Sequence, residues 1–214
     1  MNFQAVIFDM DGVLIDSEPL WEEAEIKLLK SEGVRYDPLF RDKVVGLSQI
    51  DSSKLIIREF GLNCSPQSLI ERRMEILLGI YEERLSMFEG AREAIERFRG
   101  GGLKTALASS SPMRVIAYVL EKFSLGTLFD AVVSGDCVEN GKPAPDIYLL
   151  AAEKIDIAPR FCAAVEDSPR GVESAADAGM FCVAIPDPRL KADEFGKCGA
   201  VCGKISEVEG VLGF

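Results

Sequence analysis

The sequence predicts an α/β protein, a doubly wound parallel sheet into which a block of helices is inserted. From residue 88 onward, short apolar runs alternate with segments of helical periodicity. Such alternation is typical of βαβ units, which form a parallel sheet with helices on both faces. An earlier apolar run, FQAVIF, is followed by helical patterns alone up to residue 86, so residues 17–86 are predicted to be an insertion after the first strand.

The inserted block is predicted to contain four helices. The first begins after Ser17 and Pro19, both suited to a helix start, and Asp51 is predicted to cap the third. The four apolar stripes contain, in order, Leu20, Trp21, Ala24 and Leu28; Phe40, Val44 and Val45; Leu55, Ile56 and Phe60; and Ile70, Met74, Leu77, Leu78, Tyr81 and Leu85.

The rest of the chain is predicted to alternate between helix and strand. Its helices are GAREAIERFR, SPMRVIAYVLEKF, APDIYLLAAEKI and SPRGVESAADAG, and its strands are LKTALA, DAVVS, FCAAV and FCVAI. The three glycines at 100–102 precede a strand, so they are predicted to end a helix and not to cradle a nucleotide.

Composition excludes several classes of partner. The net charge of −11 argues against nucleic acid or an anionic membrane surface as the main partner. The sequence contains no apolar stretch approaching the roughly 20 residues that cross a bilayer, and its start does not resemble a signal peptide. We therefore expect a cytoplasmic protein that is a monomer or a weak dimer.

The content of histidine and cysteine limits the chemistry. The chain contains 0 histidines, which excludes Ser-His-Asp and Cys-His catalysis and His-ligated zinc. Its 6 cysteines form no CxxC motif, and Cys162 and Cys182 are predicted to be buried thiols in a reducing compartment. For Cys198 and Cys202, packing is favoured over a disulfide or a metal site.

Polar side chains follow four of the predicted strands. Each alone would be interpreted as turn chemistry, a helix cap or a surface charge. Ligands of doubly wound sheets bind at the carboxyl ends of the strands, so together these residues predict one pocket. The residues at these strand ends are Asp9 and Asp11; Ser109, Ser110 and Ser111; Lys142; and Glu166 and Asp167.

These residue types indicate phosphoryl chemistry. Clustered carboxylates without histidine or cysteine suit Mg²⁺, which commonly bridges carboxylates to a substrate phosphate. Lys142 would add positive charge for an anion in an otherwise acidic protein. A carboxylate can attack phosphorus, and a second acid can protonate the leaving oxygen and then activate water.

The stretches DMDGVLIDSE, ALASSSP, GKPAPDIY and VEDSPRGVESAADAGM closely resemble the four motifs of the haloacid dehalogenase (HAD) superfamily, in its branch of β-phosphoglucomutase and sugar-phosphate phosphatases. The resemblance implies that Asp9 is the nucleophile and a Mg²⁺ ligand. It implies that Asp11 is the general acid and base, its backbone carbonyl also binding the metal. An acid at that position favours phosphoryl transfer over C–halogen cleavage.

The same resemblance implies the remaining roles in the pocket. Ser109 and the backbone amides of Met10, Asp11 and Ser110 would hold the phosphoryl oxygens. Lys142 would neutralise charge between Asp9 and the phosphate. Asp167 would bind the metal directly, and Glu166 would lie beside it, acting through water or from a second layer.

The resemblance also implies a division into two domains. Residues 1–16 and 87–214 would form the α/β core, and residues 17–86 a helical cap that closes over the pocket. Candidate cap residues facing the substrate are Glu18, Trp21, Gly46 and Gln49. The alternatives are packing within the cap for Trp21 and a favourable helix-dipole position for Glu18.

Two of these positions bear on the reaction. Trp21 and Gln49 appear where the family's mutases have a histidine and an arginine, which favours a phosphatase acting on a small phosphomonoester, of the sugar-phosphate class, over a phosphomutase. A non-catalytic protein that binds a phosphorylated ligand is the third interpretation. The presence of both Asp9 and Asp11 argues against it.

Overall fold

The computed structural model describes residues 2–37, 40–44, 47–187 and 195–214. Its sheet has six parallel strands among these residues, in the order β3-β2-β1-β4-β5-β6. The strands are β1 (Ala5–Phe8), β2 (Lys104–Ser109), β3 (Ala131–Ser134), β4 (Cys162–Glu166), β5 (Phe181–Ala184) and β6 (Ala200–Val201). The predicted fold class is confirmed.

Helices cover the sheet and form the block after β1. Residues 18–84, here the helical segment, contain no strand in their described part. Its helices are α1 (Glu18–Ser31), α2 (Arg41–Val44), α3 (Gln49–Phe60) and α4 (Pro66–Arg84). The others are α5 (Ala91–Gly100), α6 (Met113–Lys122), α7 (Asp146–Lys154), α8 (Pro169–Asp177) and α9 (Val208–Leu212).

The cap of α3 differs from the prediction. Ser48, not Asp51, is the N-cap residue, and its hydroxyl accepts a hydrogen bond from the Asp51 amide. Asp51 lies in the first helical turn, where a carboxylate is favoured by the helix dipole. A serine three residues before an acid can cap a helix equally well, so the pattern predicted this helix but placed its start three residues too late.

Strand β1 is buried on both faces, as its unbroken apolar run predicts. Val6 and Phe8 pack in one apolar cluster, and Ala5 and Ile7 in another on the opposite face. A third apolar cluster lies within the helical segment and includes Leu28, Phe40, Ile56 and Leu69. The helical segment therefore has a small core of its own, although Trp21, Met74 and Tyr81 join the first cluster.

The topology determines where polar residues can meet. The chain runs from β1 outward through β2 to β3, and then returns to β4 on the other side of β1. A doubly wound sheet forms its ligand crevice beside such a reversal, at the carboxyl ends of the strands. Residues that follow β1, β2 and β4 therefore surround the same point.

The sequence pattern missed two elements at the end of the chain, β6 and α9. Two residues in β6 and five in α9 are too few to show a period. None of the helices in the described residues is long and apolar enough to span a bilayer. The six cysteines are free, with Cys162 and Cys182 buried as predicted.

Candidate active site

Lys142 lies at the centre of the residues that the strand ends bring together. Its Nζ donates to Asp9 Oδ1 at 2.8 Å, to Glu166 Oε1 at 2.6 Å and to the Ala108 carbonyl at 3.2 Å. These three bonds use all three donors of the ammonium group. Both Asp9 and Lys142 are buried, with 7% of each residue exposed, so this is an interior ion pair.

Three buried carboxylates form a compact cluster beside this lysine. One oxygen each from Asp9, Glu166 and Asp167 lies within 4.8 Å of the other two. Gly12 closes over the cluster, with φ of +78° and a backbone so near that a Cβ atom would lie 1.9 Å from Asp167 Oδ2. Only glycine fits there, which explains the glycine that follows Asp11 in DMDG.

Burial and mutual repulsion make these groups hard to ionise together. Burial is the largest cause that raises the pKa of Asp9, with Glu166 and Asp11 adding to it against the opposing charge of Lys142, and the result is about 8. Burial also raises the pKa of Asp167 well above its usual value, helped by Asp9 and Glu166. Burial lowers the pKa of Lys142, but the charges of Asp9 and Glu166 outweigh it and raise that pKa overall.

The charges of this cluster fit a divalent cation. Three carboxylates and one ammonium leave an excess of two negative charges in a site of low dielectric constant. One divalent ion would neutralise that excess. Oxygen donors without histidine or cysteine are the set that hard cations such as Mg²⁺ prefer.

Asp11 is held separately, by four hydrogen-bond donors. Ser17 and Trp21 donate to Oδ1 at 2.7 and 3.1 Å, and Ser109 and Ser111 donate to Oδ2 at 3.2 and 2.8 Å. Ser17 is the N-cap residue of α1 and Trp21 lies within that helix, whereas Ser109 ends β2 and Ser111 lies in the turn after it. The Asp11 carboxylate thus joins the helical segment to the sheet and has a fixed orientation next to Asp9.

Four further residues were predicted to belong to the site: Met10, Glu18, Gly46 and Ser110. Ser110 is half-buried in the turn after β2. The Met10 side chain is buried in the apolar core, so Met10 can contribute to the site only through its backbone. Glu18 lines a cavity of about 690 Å³ that is bordered by Gly12, Phe88 and Asp187 and does not include Trp21 or Gln49. Gly46 lies outside the described residues.

Trp21 and Gln49 meet at a residue that the sequence analysis missed. Arg73 of α4 is 2% exposed, donates to Gln49 Oε1 and to Ser52 Oγ, and lies 5.7 Å from the centroid of the Trp21 ring. Glu25 lies 3.5 Å from its guanidinium. An available signal was the position of Arg73 within the apolar stripe of α4, where a charge is unexpected.

Tyr148 was also missed as a site residue, and Ser111 was placed in the pocket without a role. Ser111 was noted only as one of three serines, yet its hydroxyl makes the shorter bond to Asp11. The Tyr148 hydroxyl donates to Glu166 Oε1 at 2.6 Å, and its ring centroid lies 5.1 Å from Lys142 Nζ. Tyr148 falls on the apolar face of α7, where an aromatic residue gives no hint that its hydroxyl has a partner.

The raised pKa values predict how metal-free protein responds to pH. The folded state of such a group binds its proton more tightly than the unfolded chain does. Its contribution to stability is therefore full below about pH 4 and is lost as pH rises toward the folded pKa of Asp9, about 8. We expect the free energy of unfolding without metal to fall across this window, and added Mg²⁺ to restore more of it at pH 8 than at about pH 5.

Urea unfolding with EDTA or Mg²⁺ at several pH values measures this effect. Asp9→Asn should flatten the pH dependence, because the amide does not titrate. Asp156→Asn, at an exposed position, should leave it unchanged. If the metal-free wild type instead became more stable between about pH 5 and 8, the raised pKa values of the clustered carboxylates would be contradicted.

The fold and the site together define a class of protein: a doubly wound α/β core with an acidic crevice at its strand ends. A family model described as haloacid dehalogenase-like hydrolase matches residues 3–179. The chain belongs to this family, in its branch of sugar-phosphate phosphatases and β-phosphoglucomutase-like proteins. It is a phosphoric monoester hydrolase.

Two relatives that match most of this chain are named as phosphatases. The phosphorylated carbohydrates phosphatase of Thermotoga maritima is 37% identical over 177 residues, covering 83% of this chain and 82% of the relative. Hexitol phosphatase B of Escherichia coli K12 is 35% identical over 193 residues, covering 88% and 86%.

Solved structures agree with the fold. A candidate β-phosphoglucomutase from Thermotoga maritima aligns with a TM-score of 0.79 at 33% identity, covering 99% of both chains. The CbbY protein of Rhodobacter sphaeroides aligns with a TM-score of 0.89 over 96% of each chain. At 22% identity, the CbbY likeness shows the fold alone.

Proposed function

We propose that this hydrolase is a Mg²⁺-dependent phosphatase that acts on a small phosphomonoester of the sugar-phosphate class, through an aspartyl-phosphate formed on Asp9. The observation that carries the proposal is the position of Asp9, which contacts Lys142 and belongs to the cluster with Glu166 and Asp167. Asp11, two residues further on, is oriented by four donors.

Asp9 supplies the nucleophile. Lys142 donates to Oδ1, and no donor in the described residues binds Oδ2. Oδ2 is therefore proposed to attack phosphorus, and the second lone pair of Oδ1 is proposed to face the metal. As the Asp9–phosphorus bond forms, the bond from phosphorus to the ester oxygen breaks, and Asp11, protonated for this step, gives its proton to that oxygen. A serine hydroxyl that donates to the Asp11 carboxylate can rotate to accept from its protonated form. A water then attacks the phosphorus of the aspartyl-phosphate while Asp11 takes the proton of the water, which releases phosphate and regenerates Asp9.

The surrounding groups bind the phosphoryl oxygens and balance charge. Ser109 and the amides of Met10 and Ser110 are proposed to donate to these oxygens, and Lys142 offsets their charge. The residues proposed to hold Mg²⁺ are Asp9 and Asp167 by their carboxylates and Asp11 by its carbonyl. A bound Mg²⁺ would stabilise the charge that develops on the transferring group.

The helical segment supports a role in substrate choice. We propose that residues 17–86 act as a cap over the core of residues 1–16 and 87–214, and that closure excludes water from phosphoryl transfer. Trp21 and Gln49, which meet at Arg73, are the proposed cap contacts to the substrate. Two relatives are named for phosphorylated carbohydrates and hexitols, which supports a sugar or polyol phosphate.

A phosphomutase is the second candidate, supported by the structural likeness to a candidate β-phosphoglucomutase. Such an enzyme must retain a bisphosphorylated intermediate and turn it over within the site. The family's mutases use a histidine and an arginine of the cap for this step, and Trp21 and Gln49 take their apparent places here. Hydrolysis requires neither contact.

A panel of phosphomonoesters tests the proposal. With Mg²⁺ we expect net release of phosphate, fastest from sugar or polyol phosphates, slower from nucleoside monophosphates and absent with EDTA. Isomerised sugar phosphate without net release, dependent on a bisphosphate primer, would establish the mutase instead. Binding of a phosphorylated compound without any turnover across the panel would leave only a non-catalytic protein.

A further inference from the structure

The carboxylate of Glu166 is surrounded by donors of the protein itself. Oε1 accepts hydrogen bonds from Lys142 Nζ and from the Tyr148 hydroxyl, each at 2.6 Å. Oε2 accepts from the Asp167 amide at 3.2 Å and from Ser168 Oγ at 3.4 Å. A carboxylate has about four lone-pair positions, so these four donors occupy all of them.

The helix after β4 prevents Glu166 from turning away from these donors. The first turn of α8 passes so close that a Cβ atom on Gly171 would lie 2.0 Å from Glu166 Cδ. Glu166 itself is 0% exposed. The side chain is thus held by hydrogen bonds on both oxygens and by backbone on one side.

Asp167 presents the opposite case, although it is the next residue. No side chain or amide in the described residues donates a hydrogen bond to its carboxylate, which faces Asp9 and the Gly12 turn. Among the described residues, the Asp167 carboxylate thus accepts from no donor, that of Asp9 from one and that of Glu166 from four, so Glu166 is the least available of the three to a cation.

From this contrast we infer that the Tyr148 hydroxyl is a positioning group that keeps Glu166 from binding the metal ion directly, and that it thereby favours Mg²⁺ over Ca²⁺. The inference rests on the metal site of the proposed function. Mg²⁺ takes one or two carboxylates and retains several waters, whereas Ca²⁺ takes six to eight oxygens and readily accepts additional or bidentate carboxylates. A third carboxylate in direct contact would therefore benefit Ca²⁺ more.

Tyr148, rather than Lys142, is the residue that isolates this effect. Lys142 also binds Asp9, so its loss would disturb the nucleophile and the charge of the whole cluster. Replacement of Tyr148 by phenylalanine removes one oxygen atom and keeps the ring beside Lys142. It frees one position on Oε1 of Glu166, a member of the carboxylate cluster that is proposed to hold the cation.

The test is the titration of full-length wild-type protein and Tyr148→Phe with Mg²⁺ and with Ca²⁺, by isothermal calorimetry or by the fluorescence of Trp21, the 1 tryptophan of the chain. We expect the ratio of the Mg²⁺ to the Ca²⁺ dissociation constant to rise about tenfold or more in the variant, the lower end of the effect of one hydrogen bond to a charged group. The double variant Tyr148→Phe/Glu166→Gln should return the ratio to the wild-type value. Tyr118→Phe, which removes a hydroxyl from a residue packed against Tyr81, should not change it.

The outcomes separate this inference from the proposed function. An equal loss of affinity for both ions in Tyr148→Phe would assign the hydroxyl a structural role only and overturn the inference. Wild-type protein that binds neither ion would overturn the metal site itself. If Tyr148→Phe does not fold, Glu166→Gln and Asp167→Asn decide: we expect Asp167→Asn to lose at least about tenfold more Mg²⁺ affinity than Glu166→Gln, and equal losses would refute the inference.

Discussion

Replacement of Asp9 by asparagine is expected to abolish phosphate release, with kcat reduced by at least about 10³-fold. The amide keeps the shape of the side chain but is not a nucleophile toward phosphorus. It also removes one negative charge from a buried cluster in which burial raises the pKa of Asp9 to about 8. We therefore expect Asp9→Asn to fold at least as stably as the wild type at about pH 8 without metal.

Two measurements together decide the role of Asp9. Steady-state phosphate release gives the loss of activity, and thermal unfolding shows that the fold is retained. Asp156→Asn, an exposed position whose positive φ of 56° asparagine tolerates, should preserve both. Full activity in a folded Asp9→Asn protein would refute the nucleophile, and formation of an acid-stable, base-labile phosphoprotein in wild type alone would support it.

Replacement of Lys142 by methionine is expected to have the largest effect on stability. It removes the ammonium that binds Asp9 and Glu166 and leaves three buried carboxylates without a protein cation. Removing one partner of a buried ion pair costs about 3–5 kcal/mol. The cost should shrink toward about pH 5, because protonation of the carboxylates then relieves their repulsion, and Mg²⁺ should restore part of it at about pH 8.

The same change is expected to lower kcat by about 10² to 10³-fold, because a phosphoryl group would lose its charge partner beside Asp9. Lys197→Met is a matched control. Lys197 also binds two carboxylates, Glu173 and Asp177, each at 2.9 Å, but on the exposed surface. It should leave the midpoint of urea unfolding and the activity nearly unchanged, and equal effects of the two variants would show that burial of Lys142 contributes nothing.

Most of the fold could be predicted because its signals are local. The apolar run at Ala5–Phe8 is buried on both faces, and the alternation after residue 88 corresponds to helices and strands near the predicted bounds. The elements that were missed are short, and the cap of α3 was misplaced by three residues because Ser48 and Asp51 are both good capping residues.

The site was predictable only in outline. The polar residues after β1, β2 and β4 were expected to converge because parallel strands end at one edge, and Lys142 does reach Asp9 and Glu166. The donors that orient them were not predictable from spacing. Trp21 of α1 and its N-cap residue Ser17 reach Asp11, and Tyr148 reaches Glu166 from α7, through packing that no short stretch of sequence encodes.

The sequence by itself determined which chemistry is possible: carboxylates, hydroxyls and one lysine at strand ends, with 0 histidines, because those residue types and their place after apolar runs can be identified locally. Only the tertiary structure decided how these carboxylates, which look alike in the sequence, differ in their number of hydrogen-bond donors. Asp11 and Glu166 have four donors each, while Asp167 has none among the described residues. The physical reason is that a carboxylate oxygen can bind a cation only where distant side chains and backbone amides do not already occupy it. In a buried site of low dielectric constant, each such hydrogen bond has a large effect.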